Sequence, residues 1–287
     1  MNPHFLQSAA WQSFQEALGR KVYRQKGIDW EFMAILEPGT RLSPSRLYCP
    51  YGPTVSSIKG LKSALKALTK LATSLDVKFV RIEPLGVKFN AKDFRLKRVN
   101  YSQPAHTWQI DLNRSSDEII SQMKQNNRNI YRNYRKKGLS YRSSNNPNDC
   151  KYLIKLLHSV AAHNNITIHS DEYLQTQADV LLPINSAKLH FISLESKVIA
   201  AALTYEDEKT CYYAHAGASH EYRKLSTSTA LLAEIIINAK KDGKLVCDLY
   251  GITTSQDKNH RWAGFTRFKK SFGGYEVDLS ETYDLPI

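Results

Sequence analysis

Residues 268–274, with the sequence F-K-K-S-F-G-G, combine side chains that could do chemistry. Lys269 and Lys270 are adjacent cations between Phe268 and Phe272, and two glycines follow. An ammonium group held in a fixed position can stabilise negative charge that develops on an oxygen atom during a reaction. We expect a strand near the C-terminus to carry Lys269. The same pattern also fits a packed strand and its turn without any chemistry, so these residues alone leave both interpretations open.

A second segment, residues 124–142, carries many cations and no acid. Its cations are Lys124, Arg128, Arg132, Arg135, Lys136, Lys137 and Arg142, and Tyr131, Tyr134 and Tyr141 lie between them. Like charges four residues apart on a helix repel each other, which indicates that an anion binds nearby. Tyrosines can in addition stack on bases. The alternative is a solvated basic face that stabilises the C-terminal end of a helix.

The composition narrows the class of protein. The chain has 287 residues and a formal charge of +13, which favours anionic partners. Its four cysteines are scattered without zinc or disulfide spacing, so we expect a reducing, cytoplasmic environment. The first residues lack the pattern of a signal peptide, and no apolar run is long enough to span a membrane. Motifs of serine hydrolases, ATPases, zinc proteases and dehydrogenases are absent from the sequence.

Local patterns predict the same order of elements in each half of the chain. In the first half, short strands (21–25, 31–36 and 46–49) precede a helix (57–74) and another strand (77–82). In the second half, strands at 188–194, 198–205 and 210–216 precede a helix (226–241) and a strand (245–249). This repetition predicts an α/β (α+β) fold of two tandem domains with mixed, largely antiparallel sheets flanked by helices.

The region between the halves gives the predicted domain boundary. A single helix is predicted over residues 115–137, with Ser115 and Glu118 spaced as a capping box. The polar, turn-forming stretch 145–149 is the best candidate for the linker between the two domains. We therefore predict an N-terminal domain over residues 1–145 and a C-terminal domain over 146–275, with the tail 276–287 packing back on the first.

Several motifs, in order along nearly the whole chain, resemble those of the Fem-type (FemABX) aminoacyltransferases. They include Y-x-P-x-G-P at 48–53, H-x-x-x-x-D-L at 106–112 before the basic segment, D-x-x-G at 248–251, W-x-G at 262–264 and F-K-K-S-F-G-G at 268–274. The chain has no candidate for the coiled-coil arm of the longer members, so it resembles the compact form. The resemblance implies two tandem acetyltransferase-like (GNAT-like) domains.

In function, the resemblance implies transfer of an amino acid from an aminoacyl-tRNA to the side-chain amine of the stem peptide of a peptidoglycan precursor, either lipid II or UDP-MurNAc-pentapeptide. No cofactor and no metal are expected. The segment 217–224 lacks the glycine-rich loop that binds the pyrophosphate of CoA, so CoA is a poor candidate for the donor. We further expect a monomer that contacts the cytoplasmic face of the membrane peripherally.

The resemblance also implies roles for individual residues. Phe268 and Lys269 would hold the acceptor end of the tRNA and its reacting ester. Asp111 is a candidate from its own position, at the end of a predicted strand before the basic segment: it would accept the proton of the amine or orient the amine, unless the sugar hydroxyl of the ester relays the proton. A plain carboxylate at a strand end is the alternative. The resemblance implies the contacts that follow. The precursor would contact Arg223, Tyr51, Tyr222 and Tyr250. The tRNA phosphates would contact Lys124, Arg128, Arg132, Arg135, Lys136 and Lys270.

For several of these residues a purely structural role is an equally open interpretation. Arg223 could form an ordinary salt bridge at the start of a helix, and the motif around Tyr51 could be only a rigid turn. His215, on a predicted strand, is interpreted as an interior or cleft residue rather than a metal ligand. Two other functions also remain: an aminoacyl-tRNA-dependent transferase with a different acceptor, and a noncatalytic RNA-binding protein.

Overall fold

The computed structural model describes residues 3–39, 44–100, 102–164 and 166–287. The chain forms two compact units, one of Met1–His106 with Asp278–Ile287 and the other of Thr107–Val277. The units therefore divide at 106/107, whereas the sequence prediction placed the boundary at 145/146. The difference arises because the strand that begins at His106 pairs within the second sheet. The last strand of the chain lies in the sheet of the first unit.

The first unit is built on a mixed sheet. Its strands are β1 (Val22–Lys26), β2 (Trp30–Glu37), β3 (Arg46–Cys49), β4 (Thr54–Val55), β5 (Phe79–Ile82), β6 (Lys97–Arg98) and β14 (Tyr283–Pro286), and its helices are α1 (Ala9–Ala17) and α2 (Ile58–Ser74). The strand order is β1-β2-β3-β5-β14-β6, with β4 paired to β2. Strands β3 and β5 run parallel. Because β14 separates β5 from β6, the sheet joins residues far apart in the chain.

Helix α2 covers the core of this unit because its apolar residues recur at helical spacing. The side chain of Ser57 caps the helix by accepting a hydrogen bond from the amide of Gly60. Leu61, Leu65 and Leu68 then face the sheet and are buried. The predicted helix over residues 57–74 is confirmed, since α2 begins one residue later and ends at Ser74.

A buried carboxylate ties several segments of the first unit together. Glu83 has no exposed surface, and it accepts hydrogen bonds from the amides of Tyr51 and Gln103, both at 2.9 Å, and from the hydroxyl of Thr282 at 2.9 Å. Burial raises the pKa of Glu83, and these donors oppose that rise. The carboxylate thus fixes the turn at Tyr51 and the segment before β14.

The second unit contains a larger set of elements around a second mixed sheet. Its strands are β7 (His106–Asp111), β8 (Leu139–Ser144), β9 (Ala187–Leu194), β10 (Lys197–Glu206), β11 (Thr210–Ala218), β12 (Val246–Gly251) and β13 (Tyr275–Asp278). Its helices are α3 (Ser116–Gln122), α4 (Gln125–Asn133), α5 (Cys150–Asn164), α6 (Asp171–Leu181), α7 (Thr227–Lys241) and α8 (Ala263–Lys270). The strand order is β13-β7-β12-β11-β10-β9-β8, and β11 and β12 run parallel.

Helix α7 forms the centre of the core of the second unit. Leu232, Ile235 and Ile236 are fully buried in one cluster with Cys247 of β12. Glu234 of the same helix is 3% exposed, and it accepts hydrogen bonds from the hydroxyl of Tyr134 and from other donors. The helix therefore binds both an apolar sheet face and the end of the basic segment.

The prediction of one helix over residues 115–137 is wrong, because the chain breaks at Met123. The capping box of Ser115 and Glu118 is present, but Met123 has an extended backbone (ψ 147°). The amide of Lys124 donates to the carbonyl of Ser271 at 2.9 Å instead of continuing the helix. A contact with a distant part of the chain thus replaces a local hydrogen bond.

Two mixed, largely antiparallel sheets flanked by helices confirm the predicted fold class. Across the described ranges, none of the helices combines the length and the apolar character that crossing a bilayer would need.

Candidate functional site

Lys269 lies on helix α8, close to the C-terminal end of that helix. The expectation that a strand carries it is wrong, since Ala263–Lys270 is helical. The reason is visible in the aromatic spacing: Phe268 and Phe272 lie four residues apart, and their rings pack edge to face with centroids 5.2 Å apart. Phe272 is fully buried. These aromatic residues anchor the end of the helix and thereby fix the position of Lys269.

The two glycines after α8 allow the chain to turn and to approach β7 closely. Gly273 and Gly274 have φ values of +82° and +92°, which side chains disfavour. A Cβ atom on Gly274 would lie 2.2 Å from the carbonyl oxygen of Gln109. The F-G-G part of the motif is therefore explained by backbone geometry that positions α8 against the sheet.

Gly274→Ala is expected to lower the free energy of unfolding by about 3 kcal/mol, since it adds both a backbone clash and a strained φ. Chemical denaturation measures the loss. Gly264→Ala is the matched control, because no atom lies within 4 Å of the added Cβ and the residue is in helix α8. That variant should be stabilised by about 0.5–1 kcal/mol. Equal effects of the two substitutions would contradict this account of the turn.

The ammonium group of Lys269 is held at the end of β12. Its Nζ donates to the carbonyl oxygen of Gly251 at 2.6 Å, and the side chain is half-buried. Burial lowers the pKa of Lys269 to about 8, and the charge of Asp248 opposes this shift. Lys269 is therefore mostly charged at neutral pH, but desolvated. Among the described residues its Nζ donates to Gly251 alone, which leaves two of its three N–H groups for another acceptor.

Asp248 supplies the negative charge beneath Lys269. Its carboxylate is 3% exposed, and it accepts from the hydroxyl of Thr107, from Nε2 of Gln109 at 3.0 Å and from the amide of Tyr250 at 2.7 Å. Burial raises its pKa, while these donors and Lys269 act in the opposite direction. In the sequence, Asp248 belongs to the D-x-x-G motif at 248–251, which by itself indicates no role for the carboxylate. An acid inside the apolar run 245–249 was the signal.

The sheet opens beside this pair of charges. Strands β11 and β12 pair only from Thr210↔Val246 to Tyr212↔Asp248, although both strands continue beyond those residues. Next to the opening, β12 bulges and Tyr250 adopts a left-handed backbone (φ 61°). The opening exposes backbone and side chains that a continuous sheet would cover.

Aromatic and polar rings form one wall of this region. The ring of Tyr250 packs against those of Tyr205 and Tyr212, with centroids 6.3 Å and 6.0 Å away. The hydroxyl of Tyr205 in turn lies 3.2 Å from Nε2 of His215 and accepts from Gln177 at 2.8 Å. The structure thus brings Tyr250 to the Lys269 region, together with Tyr205 and Tyr212, which the sequence did not single out.

A cavity of about 640 Å³ lies against α8, which contributes Ala263, Thr266, Arg267 and Lys270 to its wall. Among its lining residues are the cations Lys124, Lys258, Arg267 and Lys270 and the acids Asp257 and Glu276. Lys270 extends over the ring of Trp108, with Nζ 4.8 Å from the centroid. Helix α8 therefore carries Lys269 at the opening of the sheet, while Arg267 and Lys270 line the cavity. Lys258 and Arg267 were missed in the sequence because they lie outside the basic segment.

The cations of the predicted basic segment have different partners in the structure. Lys124 lines the cavity, whereas Arg128 donates to the carbonyls of Ser121 and Met123 and so caps α3. Arg135 binds the buried Glu234 at 2.8 Å. Arg132 and Lys136 are exposed. Only Lys124 and Lys270 of the predicted tRNA set are therefore gathered at one cavity.

Arg223 lies in a separate cavity of about 440 Å³ at the N-terminal end of α7. The rings of His163 and His220 pack there with centroids 3.9 Å apart and planes inclined by 31°. The N-cap residue of α7, Ser226, makes no side-chain capping hydrogen bond. The positive end of the helix and these cationic or polar groups make the cavity suitable for an anion. Tyr222 is held nearby by Lys197, whose Nζ donates to its hydroxyl at 3.0 Å.

Two predicted site residues are placed elsewhere. Asp111 pairs with Val246 at the start of β12, roughly 15 Å along the strand from Gly251, to which Lys269 bonds. Its carboxylate bonds to the backbone and side chain of Asn113, which lowers its pKa. Tyr51 is 1% exposed in the first unit. The structure therefore gives Tyr51 a core position and does not bring Asp111 to Lys269.

The chain matches one protein family over part of its length and resembles several solved structures in fold. The FemAB family matches residues 184–287. No curated protein matches the chain. The chain is similar to the crystal structure of FemX, with a TM-score of 0.86 and 16% identity over 99% of this chain and 92% of the other.

Two further solved structures have a related fold at lower similarity. One is the C-terminal domain of a putative lysylphosphatidylglycerol synthetase from Agrobacterium fabrum, with a TM-score of 0.65 and 13% identity over 98% of this chain and 88% of the other. The other is a tandem GNAT protein from the clavulanic acid biosynthesis pathway, with a TM-score of 0.55 and 12% identity over 93% of this chain and 83% of the other.

The two kinds of comparison agree with each other. The tandem GNAT structure supports the predicted GNAT-like class of fold, and the family match together with these folds supports a transferase. The FemAB match covers the region that includes Asp248, Lys269 and the two glycines after α8. The match over residues 184–287 and the fold of FemX over nearly the whole length of the chain together support a Fem-type protein.

Proposed function

We propose that this protein transfers an amino acid from an aminoacyl-tRNA to the side-chain amine of the stem peptide of a peptidoglycan precursor. At the level of the family, the FemAB match and the FemX-like fold support an aminoacyltransferase that forms peptidoglycan bridges. The observation that carries the proposal here is the Lys269 ammonium, which is fixed at the opening between β11 and β12 beside a cationic cavity.

The donor would bind through its negatively charged end. The cavity lined by Lys124, Arg267 and Lys270 would hold phosphates of the acceptor end of the tRNA, because clustered cations bind a polyanion through release of its counterions. The aminoacyl ester would then lie next to Lys269. Holding ester and amine together converts their encounter into an intramolecular step.

The chemical step needs no covalent enzyme intermediate, because the ester is already activated. The amine attacks the ester carbonyl, a C–N bond forms, and negative charge develops on the carbonyl oxygen. The two remaining N–H groups of Lys269 would stabilise that charge. The ester C–O bond then breaks, and the proton lost by the amine passes to the leaving ribose oxygen, with the neighbouring sugar hydroxyl as the relay.

Asp248 does not accept that proton in this scheme. It is buried and bonded to Thr107, Gln109 and the amide of Tyr250, so its role is to hold the backbone at Tyr250 and to favour the charged form of Lys269. The phosphates of the precursor would bind in the cavity of Arg223 at the N-terminal end of α7, where Tyr222 is close.

A reconstituted reaction tests the proposal. Purified protein is incubated with charged tRNA and with UDP-MurNAc-pentapeptide or lipid II, and mass spectrometry detects the precursor lengthened by one residue. Because one structure of related fold is named as a lysylphosphatidylglycerol synthetase, phosphatidylglycerol serves as a third acceptor. If only phosphatidylglycerol is aminoacylated, the acceptor is a lipid and not the peptidoglycan precursor. If no amino acid gives a product with any acceptor, the proposal is overturned.

Removing cations from the cavity beside α8 tests whether this cavity binds the tRNA, or whether the net charge of the protein attracts RNA in general. The double variant Arg267→Ala with Lys270→Ala is expected to weaken binding of charged tRNA and to reduce its salt dependence by about two in log–log slope, because two phosphate contacts are lost. Lys155→Ala with Lys241→Ala is the control, since those lysines lie outside the cavity. Equal loss in both double variants would mean that net charge, not the cavity, binds the RNA.

A further inference from the structure

The hairpin between β1 and β2 presents a fully exposed isoleucine at its tip. Ile28 has a relative exposure of 103%, and Ile58, at the start of α2, is 42% exposed. The tip is fixed against the helix: the hydroxyl of Ser57 donates to the carboxylate of Asp29 at 2.9 Å, and the amide of Ser56 donates to the carbonyl of Asp29 at 3.0 Å. Both isoleucines therefore belong to one rigid surface.

The outer face of α2 continues this surface as a row of cations. Lys59, Lys62, Lys66 and Lys70 follow each other at intervals of three and four residues, so they lie on one face of the helix. All four are exposed, and α2 contains no acid. Within the described parts of the chain, none of the four forms an ion pair. Such an arrangement repels itself on the free helix, which indicates an anionic partner.

The base of the hairpin adds residues typical of a membrane interface. Lys26 is exposed, and Trp30 is half-buried with its ring stacked on that of Phe32, the centroids being 5.6 Å apart. Tryptophan beside exposed aliphatic and basic side chains is the composition of protein surfaces that lie at the level of lipid headgroups.

We infer that Ile28, Ile58 and the lysine face of α2 dock the protein on an anionic lipid bilayer. The lysines would contact the headgroups, and the two isoleucines would enter the boundary between headgroups and acyl chains. An RNA partner fits this surface less well, because exposed isoleucines offer no flat ring for a base to stack on. Two apolar insertions together with several cations supply the paired signals that stable docking requires. The inference goes beyond the proposed reaction and does not depend on it.

Binding of the full chain to vesicles tests the inference. Sedimentation with vesicles of phosphatidylglycerol mixed with phosphatidylcholine should capture the protein, and vesicles of phosphatidylcholine alone should not. Lys62→Ala with Lys66→Ala is expected to weaken this binding about thirty-fold, from the electrostatic contribution of each lysine near a charged leaflet. Ile28→Ser with Ile58→Ser should weaken it about tenfold or more. Ile166→Ser with Ile184→Ser, at two other exposed isoleucines, is the control.

Insertion of the tip can be observed directly, because all four native cysteines are buried. An environment-sensitive fluorophore on Ile28→Cys should shift to the blue with the anionic vesicles, and one on Ile184→Cys should not. Thermal unfolding of each variant shows whether it keeps its fold. The inference is overturned if the parent protein does not bind anionic vesicles or if the isoleucine variants bind them as the parent does. It is also overturned if the lysine variants keep vesicle binding and lose only RNA binding.

Discussion

Lys269→Met should lower the rate of aminoacyl transfer by at least about a hundredfold while charged tRNA still binds. Removal of one fixed donor from a developing oxyanion typically costs a factor of this size. Binding is expected to weaken only modestly, since the cavity cations Lys124, Arg267 and Lys270 remain. Single-turnover transfer from charged tRNA gives the rate, and a filter-binding assay gives the affinity. A variant that transfers at the parental rate would remove Lys269 from the mechanism.

The pH dependence gives a second readout for the same residue. In the proposed mechanism the charged form of Lys269 is the active one. Because the pKa of Lys269 is lowered to about 8, transfer should then decline as the pH rises through about 8. At neutral pH about nine-tenths of the side chain is charged. The acceptor amine must be uncharged to attack, so its own titration raises the rate over lower pH values, and the profile should be bell-shaped. Lys269→Arg keeps its charge at alkaline pH, and any residual activity should lack the falling limb.

Asp248→Asn should reduce transfer about tenfold at neutral pH and move the falling limb to lower pH. The carboxylate of Asp248 opposes the burial that lowers the pKa of Lys269, so its removal lets that pKa fall further. Less of the lysine is then charged at pH 7. Part of the lost activity should return on acidification, which a purely structural defect would not produce. The pH–rate profile of the variant measures both effects.

Asp111→Asn distinguishes the two carboxylates that the sequence offers. Asp111 pairs with the first residue of β12, whereas Asp248 lies beside the opening of the sheet. The variant is therefore expected to keep the parental pH profile. Loss of transfer in Asp111→Asn together with normal transfer in Asp248→Asn would contradict the site described here.

Much of the local structure could be predicted because it depends on residues close in sequence. Helix α2, which Ser57 caps, follows from apolar residues at helical spacing. The capping box at Ser115 follows from hydrogen bonds between residues three positions apart. The break at Met123 could not be predicted in this way, because the amide of Lys124 bonds to Ser271 in a distant segment. For the same reason the domain boundary was placed too late: β7 follows the first half of the chain but pairs with β12.

The candidate site was predictable to a similar degree. The F-K-K-S-F-G-G motif led to Lys269 and Lys270, although the spacing of Phe268 and Phe272 indicates a helix rather than the expected strand. Arg128 and Arg135 looked like ligands for phosphate from their charge alone. The structure shows Arg128 on backbone carbonyls and Arg135 on Glu234, and such partners cannot be read from the sequence. Tyr51 belongs to a turn whose burial depends on long-range packing.

The order of strands in the first sheet has a consequence for biosynthesis. Strand β14 lies between β5 and β6, and Arg81 of β5 binds Asp284 of β14 through two hydrogen bonds of 2.8 and 2.9 Å. On the ribosome, β1 to β6 emerge long before residues 283–286. Until those residues arrive, β5 presents an unpaired edge of the kind that chaperones cover and that nascent chains use to aggregate.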